Sequence, residues 1–145
     1  MIVYRCKWDQ LPDKLVASGN AGRWNLDEDK VIYTSESRAL SAFEVLVNLK
    51  DNWILNTFNF LGISISEEAS ILTIDPFDNF RDKMVECQRL GHDWYTAGSS
   101  LLLKVPSVII PKEWNYLINT QHPDFRKVAI ESIEPFYSFD PRLYS

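Results

Sequence analysis

Cysteine is scarce in this chain, with Cys6 and Cys87 the only two among 145 residues. Two thiols cannot staple a small fold, and neither forms a recognisable zinc spacing with the other or with His92 and His122. A disulfide framework and a metal site are therefore not expected. Basic residues are also in the minority, at 15 Lys and Arg against 20 Asp and Glu, for a formal net charge of -5. With no basic run, the chain lacks the electrostatic footprint of a nucleic-acid binder and any general attraction to anionic membranes. Any phosphate site has to be local. Apolar runs fall well short of the roughly 20 residues a membrane helix needs. The opening Met1-Ile2-Val3-Tyr4-Arg5 reads as a strand and not as a signal peptide, so the expected localisation is cytoplasmic.

What is present is a sizeable apolar share, 46%, and an aromatic share of 13% that includes five Trp and six Tyr. That suffices for one ordinary core over residues 1–145 and is too little for two domains. The aromatic rings fill that core or offer flat surfaces for stacking and for partners. Trp53, Phe58, Phe60, Trp94 and Tyr95 are open to either use.

Internal repeats and low-complexity linkers are lacking too. Strand signals cover Ile2–Tyr4, Val31–Thr34, Gly62–Ser66, Ala69–Thr73, Leu101–Pro106 and Val128–Phe136. The last approximates in-out alternation, whereas Leu101-Leu102-Leu103 is continuously apolar and suits a strand buried on both faces. Helix signals cover Asp9–Ser18, Ser37–Leu49 and Asp78–Leu90, with Gly91 placed as the C-terminal stop of the third. In the second helix Ser35 or Ser37 can cap the start, and Ala39, Leu40, Ala42, Phe43, Leu46 and Val47 form a broad apolar side. Glu44 lies at the border of that side.

Two neighbouring segments carry chemistry. The turn Gly19-Asn20-Ala21-Gly22-Arg23-Trp24-Asn25 holds an arginine beside a glycine that permits close backbone approach, which suits bidentate binding of a diphosphate. The strand-to-helix run from Val31 to Glu44 adds Tyr33 and a carboxylate. On residue types alone, Glu44 could equally be a solvated border residue and Arg23 a surface ion-pair partner.

Four stretches, in order, resemble the RES-domain family of bacterial toxins: Gly22-Arg23-Trp24-Asn25, Val31 to Leu40 leading to Glu44, Val105-Pro106-Ser107, and Asn115-Tyr116-Leu117-Ile118-Asn119 with His122-Pro123-Asp124. The resemblance implies an α+β fold, a compact single domain with mixed, mainly antiparallel sheets and flanking helices, related to the ADP-ribosyltransferases. It implies cleavage of the nicotinamide–ribose bond of NAD, as a glycohydrolase or, with inorganic phosphate as co-substrate, a phosphorylase. Protein ADP-ribosylation, or an inactive nucleotide- or partner-binding module, is the alternative. Carried over by position, the catalytic residues are Arg23, Tyr33, Glu44 and Ser107, the NAD-binding residues are Gly22, Arg23, Trp24, Tyr33 and Ser107, and Arg5 resembles an early family arginine. No metal or separate cofactor is implied, since NAD is the substrate. The implied partner is a cognate helix-turn-helix antitoxin of the Xre type. No direct nucleic-acid or membrane binding is expected, and a homodimer stays open.

Two departures from the family pattern stand out. Leu26-Asp27-Glu28-Asp29-Lys30 follows the arginine turn where a small residue and a glycine are common, and Thr120 follows Asn119 in place of proline. Acidic side chains at 27–29 would weaken binding of an anionic dinucleotide if they faced it.

Overall fold

A computed structural model describes residues 1–144. Among these residues are seven strands, β1 (Ile2–Trp8), β2 (Val31–Ser35), β3 (Phe58–Ser64), β4 (Ile71–Thr73), β5 (Leu102–Pro106), β6 (Trp114–Asn119) and β7 (Ala129–Tyr137). They form one sheet in the order β4-β5-β6-β2-β1-β3-β7. All neighbours are antiparallel except β4 and β5. Two α-helices, α1 (Arg38–Leu46) and α2 (Met84–Ala97), complete an α+β fold.

The register assigns each core its face. Val31, Leu117, Leu103 and Val105 share one side of β2, β6 and β5, where they pack with Trp24, Phe80 and, from α2, Cys87 and Trp94. On the same side, Cys6, Phe58, Phe60 and Phe139 meet Ala42, Val45 and Leu46 around α1. Both helices therefore cover one face. Val3, Ile32, Leu61, Ile63, Leu102 and Ile118 form the core of the other, closed over by Leu15, Ala17, Phe125 and Val128.

The sheet is nearly two sheets. β1 pairs β3 over seven residues and β2 pairs β6 over five, but β1 and β2 meet at the single pair Tyr4↔Ser35. Beyond that pair they diverge, and a cleft opens on the helix-bearing face between α1 and the arginine turn.

Several sequence expectations need correction. Residues 9–18 form no helix. Pro12 interrupts the pattern, and buried Lys7 gathers the segment by donating to the carbonyls of Trp8 (3.2 Å) and Leu11 (2.8 Å) while pairing with Asp13 (2.8 Å). The third helix starts six residues later than expected and runs through Gly91 to a stop at Gly98, whose φ of 65° suits the left-handed cap. Gly91 is instead a contact point: a Cβ there would overlap the carbonyl oxygen of Trp24, so α2 rests directly on the backbone of the arginine turn. β6 was not expected from the strand signals, and β3 begins at Phe58 where Gly62 was expected.

Candidate active site

The cleft encloses about 640 Å³, within the ~300–1,000 Å³ typical of small-molecule sites. Arg5, Gly22, Arg23, Tyr33, Glu44 and Asn115 all line it. They come from β1, the turn, β2, α1 and β6, so the site forms only when the two half-sheets meet.

Glu44 reaches the cleft because α1 begins immediately after β2. Ser37 caps that helix, its hydroxyl accepting from the Leu40 N–H. The border position expected for Glu44 turns out to face strand ends. Oε1 accepts two hydrogen bonds of 2.8 Å, one from the Ser107 hydroxyl and one from Asn115 Nδ2. Ser107 in turn accepts from the backbone N–H groups of Ile109 (3.0 Å) and Ile110 (3.1 Å). With those two bonds occupying its lone pairs, the Ser107 proton can only point at Glu44. Asn115 is fixed from behind, its Oδ1 accepting from the Ser35 hydroxyl at 2.7 Å. Among the described residues no protein donor reaches Oε2, which leaves that oxygen for a ligand in the cleft.

The opposite wall is the arginine turn, organised by Tyr33. Its hydroxyl accepts from the Trp24 N–H (2.9 Å) and donates to Asn25 Oδ1 (2.6 Å). Asn25 is buried and donates onward to the carbonyls of Asn20 and Leu26. Burial pushes the Tyr33 phenol well above its ordinary range, so it stays protonated and keeps both bonds. Gly22 is required by closeness: a Cβ would stand 2.7 Å from the Tyr33 hydroxyl. The Arg23 guanidinium is steadied by one bond to the Arg81 carbonyl (3.0 Å).

Arg5 enters through the opening between β1 and β2, where Nη1 donates to the Tyr33 carbonyl (3.3 Å). Burial pulls its guanidinium below the usual range. Neither Arg5 nor Arg23 forms an ion pair among the described residues, and Glu44 is the one carboxylate lining the cleft. Two guanidiniums and one carboxylate lining one cleft suit a ligand with anionic and cation-forming ends.

The acidic segment does not oppose this. Asp27 accepts from the Ala21 N–H (2.9 Å), buried Asp29 accepts from the Leu26 N–H (3.0 Å) and meets His92 (2.9 Å), and neither these two nor Glu28 lines the cleft. They shape the turn from outside. Cys6 does line it, but burial pushes its thiol up to about 12, which leaves no thiolate nucleophile near neutral pH.

The structure thus gathers Gly22, Arg23, Tyr33 and Glu44 around one cavity. It sets Trp24 and Ser107 behind the walls: Trp24 lies in the core under α2, and Ser107 is fully buried beneath Glu44. Asn115 and Ser35 were missed as site residues. Their signal is positional, since only the β2–β6 register sets Ser35 opposite Asn115.

A family model described as the RES domain matches residues 2–140. A protein called Toxin Res from Yersinia enterocolitica is 35% identical over 128 residues, spanning 84% of this chain and 83% of its own length. Another Toxin Res, from Photorhabdus laumondii, is 33% identical and spans 99% of this chain and 97% of its own. A Sphingobium protein called Prs ADP-ribosylating toxin is 31% identical, spanning 84% and 80%.

Proposed function

The chain belongs to the RES-domain family, and from that premise we propose that it is a toxin enzyme that cleaves the nicotinamide–ribose bond of NAD. The observation that carries this reading is Glu44, held at Oε1 by Ser107 and Asn115 with Oε2 free in a cleft whose other charges are Arg5 and Arg23.

The chemistry follows from the bond. Nicotinamide leaves as a neutral ring from a pyridinium, so no strong general acid is required, and the barrier lies in positive charge growing on the ribose. Glu44 places a fixed negative group where that charge develops and holds the ribose hydroxyls. Such preorganised stabilisation is typically worth about 2.7–4 kcal/mol of barrier per group. Arg23 binds the diphosphate, with Arg5 as a second cation. The Tyr33 ring lies against the nicotinamide ribose, while its hydroxyl stays committed to the turn. Ser107 acts through Glu44, and Trp24 supports the turn through its backbone. As a toxin, the protein is held in check by a cognate helix-turn-helix antitoxin of the Xre type.

The test is to free the purified protein of any partner, incubate it with NAD and follow nicotinamide. Its release with ADP-ribose identifies water as acceptor, and a phosphorylated ADP-ribose formed only with added phosphate identifies phosphorolysis. The name of the Sphingobium relative favours one second reading, transfer of ADP-ribose to a protein. Labelled NAD separates the two, because transfer leaves label on a macromolecule in lysate and glycohydrolysis leaves it small. NAD left intact in every case refutes both.

A further inference from the structure

We infer that Asn115, braced by Ser35, is a positioning residue for Glu44, so that the carboxylate is aimed by a polar chain running back into the sheet. The inference rests on the NAD-cleaving reading above and adds to it the group that sets the angle of its key side chain.

The argument begins with what one donor leaves undetermined. A carboxylate held by a single hydrogen bond can pivot about the accepting oxygen, and Ser107 alone would leave Glu44 that freedom. Asn115 Nδ2 supplies a second donor to the same Oε1 at 2.8 Å from a different strand. Two donors from β6 and from the end of β5 fix the plane of the group and hence the place of Oε2. An amide could still flip and present its oxygen to the carboxylate. Glu44 opposes that flip, because its carboxylate oxygen only accepts and would meet Oδ1 with no proton between them, and the Ser35 hydroxyl, 2.7 Å from Oδ1, braces the unflipped amide by donating to that oxygen.

Burial makes the chain stiff. Ser35 and Asn115 are 2% and 8% exposed, so water has little access to their bonds. They also stand opposite one another in the β2–β6 ladder, and Ser35 belongs to the single pair that joins the half-sheets. The link that closes the cleft and the link that aims Glu44 therefore share Ser35, and a ligand that needs both arginines and the carboxylate meets them in fixed relation.

Neither Asn115 nor Ser35 need touch the reacting atoms for this role, which separates it from a substrate contact. Removing the Asn115 amide should lower kcat by about 10- to 100-fold, the range for misplacing a catalytic group by an ångström or so, with KM for NAD within about threefold. Ser35→Ala should lower kcat in the same direction by less, because Asn115 keeps its bond to Glu44 but loses its brace.

The decisive experiment is a double-mutant cycle on NAD turnover, with Asn115→Ala measured in the wild-type and Glu44→Gln backgrounds at high enzyme concentration and thermal unfolding recorded for each variant. If Asn115 acts through Glu44, its removal costs less than about threefold once Glu44 is gone. Equal losses in both backgrounds, or a rise in KM with kcat unchanged, overturn the inference while leaving NAD cleavage standing. A wild-type protein that does not consume NAD overturns the reading beneath it, and the inference with it. Should Asn115→Ala fail to fold, Ser35→Ala enters the same cycle with the same criterion.

Discussion

Replacing Tyr33 by Phe removes one oxygen that the structure uses twice. The hydroxyl accepts from the Trp24 N–H and donates to Asn25 Oδ1, and both Trp24 and Asn25 are at most 2% exposed. Neither group has another protein partner among the described residues. An unsatisfied buried polar group costs about 1–3 kcal/mol, so losing both partners costs up to about 6. The cleft beside Tyr33 admits water that can replace part of the loss, and about 2 kcal/mol is the expected cost. For a chain of this size that corresponds to a fall in Tm of roughly 6–9 °C. The same substitution loosens the turn that carries Arg23 without touching the bonds to Glu44, so KM for NAD should rise more than kcat falls. Gly22→Ala adds an internal check. Its methyl would press on the Tyr33 hydroxyl at 2.7 Å and on Asn25 Oδ1 at 3.0 Å, so the double variant should be less destabilised than the sum of the singles. Thermal unfolding and steady-state kinetics read all three variants. A Tyr33→Phe protein with unchanged Tm and KM, and strict additivity with Gly22→Ala, would refute the view that this hydroxyl locks the turn.

Other outcomes follow from the same geometry. Arg23→Ala should raise KM for NAD at least tenfold, and Arg23→Lys should recover only part of it, since an ammonium cannot grip a diphosphate bidentately. Gly91→Ala should cost more than about 3 kcal/mol, well beyond an ordinary overpacked core site, because the rigid Trp24 carbonyl occupies the space of the new methyl; a soluble variant with near-normal Tm would contradict that packing. Hydrogen bonds from Arg38 hold Glu134 below the usual carboxylate range, so that pair stabilises the fold above the unfolded value of about 4.3 and stops doing so as pH falls through the lower folded value. Arg38→Gln should therefore differ from wild type in Tm at pH 6 and converge with it near pH 3, and a constant difference would argue against the pair as its source.

Much of the site was legible because the chain keeps it local. β2, the Ser37 cap and α1 follow one another within sixteen residues, and local signals sufficed to bring Tyr33 and Glu44 to one place. The direction of Glu44 was not legible, since a helical wheel sees only α1, whereas Ser107, just past β5, and Asn115, in β6, arrive from 63 and 71 residues away. β6 escaped for a related reason: in Trp-Asn-Tyr-Leu-Ile-Asn the buried Asn115 and Asn119 break the apolar alternation, and the acceptors of their amide N–H groups, Glu44 on α1 and the Tyr95 carbonyl on α2, are met only once the helices pack on the sheet. Gly91 shows how a local rule misleads. A glycine near a helix end reads as a stop, but here it was a clearance for the backbone of another segment, and Gly98 does the stopping. At residues 9–18 the local helix signal lost to Pro12 and to the pull of buried Lys7.

The central claim is that Glu44 stabilises the charge that grows on the ribose as nicotinamide leaves. Its most direct test is the rate of nicotinamide release from NAD by purified wild-type and Glu44→Gln proteins, each shown folded by thermal unfolding. The amide keeps the size of the side chain and removes its charge, so release should fall by about 100- to 1,000-fold. Undiminished release by a folded Glu44→Gln protein would contradict the claim.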